Sequence, residues 1–227
     1  MNILYRVICL VIGYFFGIFQ TAYIYGKVNG IDIRQYGSGN SGTTNAMRVL
    51  GKKAGIITYA GDMLKALLCS VVIRCIFGIG LDVADGEVLV LVLYGGLGVV
   101  LGHNYPFYMG FKGGKGIAAS TGVGISLFDW KIILLGILTF AGVTGVTKYV
   151  SVGSIVLLAG FAIETIIFSE LGIFPPISGT PYRFEAYILV TLFALLAIYK
   201  HKPNIKRLME GTENKIGQKK KESEKGE

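Results

Sequence analysis

Seven apolar runs, several of them approaching the length needed to cross a bilayer, constrain this chain more than any other feature of its sequence. They extend from Ile3 to Tyr25, Ala54 to Gly80, Val88 to about His103, Ile117 to Phe128, Ile132 to Val146, Val152 to Phe168, and Phe184 to Tyr199. A spanning helix needs about 20 predominantly apolar residues. Within lipid every backbone N–H and C=O has to be satisfied internally, which leaves helices or closed barrels. Runs this continuous predict helices, and so an all-α, polytopic integral membrane protein. Composition agrees: 52% of residues are hydrophobic, 16% are charged, and the mean hydropathy is +0.60. The first run is read as a span rather than a secretory leader, because its apolar part is long and no small-residue cleavage site follows. The fourth run is short, so a tilted, broken or partly inserted segment is expected there.

Seven spans place the termini on opposite sides. The side rich in Lys and Arg is expected to be cytoplasmic. With the N-terminus outside, residues 26–53, the Lys112/Lys115 loop, the Lys148 break and the C-terminal tail fall inside. The acidic turn at Asp82, Asp85 and Glu87 falls outside. This topology accounts for the net charge of +8 without a nucleic-acid partner. It also gathers the polar segments on one face. Residues 1–217 read as one transmembrane domain, and 218–227 as a charged, disordered tail.

The first of those segments is Gly37-Ser38-Gly39-Asn40-Ser41-Gly42-Thr43-Thr44-Asn45, running on through Arg48, Lys52 and Lys53 to Gly55. Glycine backbone forms anion-binding concavities, hydroxyls add donors, and Arg48 offers a planar fork for phosphate. The plain alternative is a flexible linker between spans. The second is Phe111-Lys112-Gly113-Gly114-Lys115-Gly116, which lacks Walker A spacing but sets two ammonium groups beside glycine backbone. Two such loops on one face suit two phosphorylated ligands, or one ligand held at two points.

His103 and His201 are the two histidines, both at span ends. Histidine is the commonest general base near neutral pH, and His201 is the better functional candidate of the two, because Asn204 follows on the same face of a helix. Pro203 suits the first turn of that helix, and Ile205, Leu208, Met209 and Ile216 give it an apolar stripe. Asp62 and Lys65, charged groups inside the second run, are expected to pair, with a site role as the alternative. Ser151 and Ser154 are expected to cap the sixth helix, or to hold phosphate there. Cys9, Cys69 and Cys75 lack metal-ligand spacing and read as packing residues. No spacing points to a metal, a cofactor, or a covalent serine or cysteine mechanism.

Three segments in order resemble the bacterial acyl-phosphate:glycerol-3-phosphate acyltransferases, the PlsY family. They are Gly37 to Gly55, Gly102 to Gly116, and His201 to Gly217. The pattern is departed from at Met109-Gly110. The resemblance implies a multi-pass enzyme of the bacterial cytoplasmic membrane with its site on the cytoplasmic face. It implies acyl transfer from acyl phosphate to the 1-hydroxyl of glycerol 3-phosphate, giving lysophosphatidic acid and inorganic phosphate, without a cofactor. It implies functional coupling to other enzymes of phospholipid synthesis. By matching position it implies catalytic roles for Ser38, Arg48, Lys115, His201 and Asn204. Gly42, Thr43, Thr44, Asn45, Gly113, Gly114, Gly116 and Ser151 would bind substrate, and Glu213 would support the site. The competing class is a transporter for a phosphorylated solute, which also uses glycine-broken spans and interior charges. It fits less well with polar segments gathered on one face.

Overall fold

The Asn2 side chain starts the first helix by accepting the Leu4 N–H at 3.0 Å. In this computed structural model, which describes residues 2–174 and 177–216, the described residues form helices and connections and no strands. The helices are α1 (Ile3–Gly17), α2 (Thr21–Val28), α3 (Thr43–Leu50), α4 (Lys52–Ile73), α5 (Asp85–Asn104), α6 (Ile117–Ser126), α7 (Trp130–Thr147), α8 (Val150–Glu170), α9 (Arg183–Lys200) and α10 (Lys202–Met209). The expected tail at 218–227 lies outside the described residues.

The first apolar run is not one helix. It breaks at residues 18–20, between α1 and α2, with Gln20 extended. Such a break frees carbonyls that lipid cannot satisfy. The Lys65 ammonium takes them up, reaching Gly17 O at 3.1 Å and Phe19 O at 2.6 Å. The second run is helical throughout but widens to a π-helical stretch over Arg74–Gly80. The fourth run forms only α6, shorter than a straight crossing needs. Five segments are long and apolar enough to span: Ile3–Val28, Lys52–Gly80, Asp85–Met109, Trp130–Thr147 and Val150–Glu170. The α9–α10 pair, bent by 55°, makes a sixth if counted as one.

The bundle is built on α5. Of its apolar window 78% is buried, against 11% for α7, which puts α5 at the centre and α7 at the rim. Every residue from Val88 to Leu93 is buried, so this helix is hydrophobic all round. It runs parallel to α1, and the two meet backbone to backbone along Gly13 and Gly17 on one side and Gly95, Gly98 and Gly102 on the other. A Cβ at Gly13 would lie 1.9 Å from Gly95 O, and one at Gly102 would lie 2.3 Å from Tyr14 O. Small residues four apart on both helices allow this approach, as they do in close membrane helix pairs.

At the end where α1, α5 and α9 begin, Arg6 ties the three together. It is 6% exposed and pairs with Glu185, at 2.8 Å from Oε2, and with Glu87 at 3.3 Å. Tyr94 and Tyr182 donate to the same two carboxylates at 2.8 and 3.2 Å. The glycine loops lie at the opposite end of these helices.

Candidate active site

The first glycine loop is held in shape by Asn45, at the start of α3. Its Oδ1 accepts the Ser38 N–H at 2.8 Å, and its Nδ2 donates to Tyr36 O at 3.0 Å and Ile33 O at 3.2 Å. Asn45 is 1% exposed. Its carboxamide therefore closes the loop. Gly42 caps α3 without a side-chain bond, so the first N–H groups of that helix, at Thr43 and Thr44, are not taken by a side-chain cap. Ser38, Thr44 and Arg48 are exposed, and Thr43 and Gly42 are half-buried. The loop thus presents a helix N-terminus, hydroxyls and one guanidinium on one surface.

The second loop is pinned to the end of α5. Gly113 N–H donates to Asn104 O at 3.1 Å and Gly114 N–H to His103 O at 3.0 Å. A Cβ on Gly114 would come within 2.0 Å of His103 Nε2, so no side chain fits there. Gly116, at φ +79°, then turns the chain into α6. The result is a fixed direction for Lys115.

Lys115 points at the third segment. Its ammonium donates to Asn204 Oδ1. Asn204 Nδ2 donates to Glu213 Oε1 at 2.6 Å, Ser151 Oγ donates to the same oxygen at 3.1 Å, and Arg207 Nε donates to Oε2 at 2.7 Å. Four segments separate in sequence thus meet in one chain of charge-assisted hydrogen bonds. Burial lowers the Lys115 ammonium to about 8; Glu213 raises it, while Arg207, Arg48 and Lys200 lower it further. Burial raises Glu213, but hydrogen bonds from Asn204 and Arg207, the Arg207 charge and the Ser151 hydroxyl hold it below the usual carboxylate range. Lys115 therefore sits among three further cations and one carboxylate, and that surplus of positive charge suits anions.

His201 ends α9 and caps α10, with Pro203 in the first turn as expected. Its Nδ1 lies 2.7 Å from Ala197 O, and a carbonyl can only accept. The proton is thus on Nδ1, and Nε2 carries the lone pair. The amphipathic helix stops at Met209, short of the expected stripe at Ile216. Gly211, at φ +69°, turns the chain back, and Ile216 N–H donates to Lys148 O at 2.9 Å. That return delivers Glu213 to the site. Neither Ser151 nor Ser154 caps α8, contrary to expectation: Ser151 reaches Glu213, and Ser154 bonds Val150 O at 2.8 Å. Of the cysteines, Cys9 and Cys69 are buried as packing residues, whereas Cys75 is exposed.

Sequence reasoning did not single out Arg207 or Lys200 as site residues. Arg207 sits one helical turn from Asn204, a signal that spacing carried. Lys200, at the end of α9, lies 4.5 Å from the Tyr105 ring and bonds Asn104 O at 3.2 Å.

Residues 7–211 match the family described as glycerol-3-phosphate acyltransferase. The chain belongs to that family. Relatives named glycerol-3-phosphate acyltransferase include one from Clostridioides difficile (strain 630), 39% identical over 97% of this chain and 100% of its own length. Another, from Acholeplasma laidlawii, is 40% identical over 97% of each. Among solved structures, the glycerol 3-phosphate form of PlsY (YgiH), an integral membrane glycerol 3-phosphate acyltransferase, superposes with a TM-score of 0.77 at 30% identity, covering 93% of this chain and 96% of that one. Its lysophosphatidic acid form gives a TM-score of 0.74 at 29% identity, covering 93% and 95%. Membership in this acyltransferase family makes the chain an integral membrane protein of all-helical fold.

Proposed function

We propose that this acyltransferase moves a fatty acyl group from acyl phosphate to the 1-hydroxyl of glycerol 3-phosphate, forming lysophosphatidic acid and inorganic phosphate. The Lys115–Asn204–Glu213 chain within a surplus of cations carries the reading, since both substrates bring a phosphate to it. The hydroxyl oxygen attacks the acyl carbonyl carbon, a tetrahedral oxyanion forms, and the carbon–oxygen bond to phosphate breaks with its electron pair on the leaving phosphate. Acyl phosphate is already activated, so the protein need not supply a nucleophile. Positioning and preorganised charge carry the rate. Lys115 and Arg48 stabilise the phosphates and the developing oxyanion, Ser38 and the α3 N-terminus hold one phosphate, and Asn204 and Glu213 aim Lys115. The hydroxyl proton passes to a substrate phosphate oxygen, with His201 Nε2 as the alternative acceptor.

The charge distribution supports a cytoplasmic site, an external N-terminus and seven crossings with α6 as the shortest. A reactive acyl phosphate also favours functional coupling to the enzymes that make it and that consume lysophosphatidic acid.

The test is detergent-purified protein given acyl phosphate and glycerol 3-phosphate. Equal amounts of inorganic phosphate and lysophosphatidic acid are expected. A transporter would form neither. An equal or faster rate with an acyl thioester would overturn acyl phosphate as the donor. In His201→Gln, an unchanged pH profile with retained turnover assigns the proton to substrate, and a loss of several orders of magnitude with binding intact assigns it to His201.

A further inference from the structure

Behind the two glycine loops lies a buried polar cluster that the chemistry above does not use. Lys65 is 5% exposed, Asp62 1%, His103 3% and Gln20 0%. The Lys65 ammonium reaches Asp62 Oδ1 at 2.9 Å, His103 Nδ1 at 2.9 Å, and the two carbonyls freed at the α1–α2 break. Thr21 Oγ1 adds a bond to Asp62 Oδ1 at 3.0 Å. An isolated buried ammonium would be costly, and these partners offset that cost. With Nδ1 accepting from Lys65, His103 carries its proton on Nε2, the atom that faces Gly114.

The cluster continues into both loops. His103 O accepts from Gly114 N–H at 3.0 Å and from Gln20 Nε2 at 2.9 Å. Gln20 Oε1 accepts from Ser41 Oγ at 3.2 Å, inside the first glycine loop. One glutamine, sitting in the helix break, therefore joins the loop that ends in Lys115 to the loop that carries Ser38. We propose that Gln20, Asp62, Lys65 and His103 are positioning residues that set the spacing between the two phosphate-binding loops. The break in the first span exists to bring Gln20 and the Gly17 and Phe19 carbonyls to this point. None of the four touches substrate; they act through Gly114, Lys115 and the Ser38–Ser41 turn.

The proposal rests on the two-phosphate reading of the site, and wild-type protein assayed in parallel separates the two. No phosphate release by wild type removes that reading. With an active wild type, the variants decide the proposal. Gln20→Leu keeps the volume and cuts the link, so KM for both substrates is expected to rise about tenfold, because small misplacements of binding groups are costly in rate. Lys65→Met with Asp62→Leu, which leaves no charge unpaired, is expected to raise KM for the phosphate held by the second loop by about the same factor. Ser41→Ala removes one hydroxyl and is expected to cost about threefold. Its effect is expected to vanish in the Gln20→Leu background, since both act through one link. A merely structural cluster would lower the unfolding temperature and leave the KM values of the folded enzyme unchanged, and that outcome overturns the proposal. So do additive effects of Ser41→Ala and Gln20→Leu. If Gln20→Leu and the double variant fail to fold, Ser41→Ala alone decides, and unchanged KM values overturn the proposal.

Discussion

The two ends of this bundle use buried charge in opposite ways. At the end where α1, α5 and α9 begin, Arg6 is enclosed by Glu87 and Glu185, with Tyr94 and Tyr182 completing their bonds. At the other, Arg207 pairs with Glu213 at 2.7 Å, and Arg207, Arg48 and Lys200 all act on the Lys115 ammonium. The first arrangement gives each carboxylate the Arg6 guanidinium and a tyrosine hydroxyl as partners and ties three helices. The second leaves positive charge over and attracts anions. Each end buries a charged group, Arg6 at the first and Glu213 at the second, so burial of charge alone does not mark a site. The imbalance does.

The sharpest way to break the comparison is Lys115→Met, expected to lower kcat/KM by about 10³-fold, the scale for losing a preorganised electrostatic donor. Its unfolding temperature should hold or rise, because a half-buried cation among cations is gone. A loss of stability with kinetics intact would make Lys115 structural. Arg6→Leu is the mirror test. It strands two carboxylates and should cost about 3 kcal/mol of stability, read by thermal or denaturant unfolding in detergent, with kcat/KM of the folded enzyme unchanged. Glu213→Gln should reduce kcat/KM by about 10-fold, through a raised KM for glycerol 3-phosphate, since a neutral acceptor still aims Asn204 but grips Arg207 less well.

The smallest effect is on pH. Lys115 is charged below about 8, so its ammonium sets no limit there, and kcat/KM should fall above it. The substrate's own second phosphate ionisation, near about 6, sets the acidic limb. Stability moves the other way: with the folded value depressed from 10.5 to about 8, the unfolded chain binds more protons across that window, and Lys115 contributes more stability as pH rises. Lys115→Arg should abolish the alkaline fall.

What the sequence makes legible follows from distance along the chain. Long apolar runs report directly on spanning helices, and glycine with cations reports on anion loops. The Asp62–Lys65 pair was readable because both lie on one helix turn. The break at residues 18–20 was not, because no proline or charge marks it; its stabilising group, Lys65, comes from another span. Ser151 looks like a cap locally, and only the return of the chain past Gly211 supplies Glu213 as its partner. Asn45 can bind phosphate or backbone with equal ease, and the curvature of its own loop decided for backbone.

The glycine seam between α1 and α5 has a consequence for lipid traffic. Gly13, Gly17, Gly98 and Gly102 offer no side chain there, and carbonyl oxygens of the facing helix occupy the space a methyl would need. A fatty tail cannot lie in that contact, and no rotamer change can admit one, because backbone itself is the barrier. A hydrocarbon chain entering from the bilayer has to approach along some other flank of the bundle.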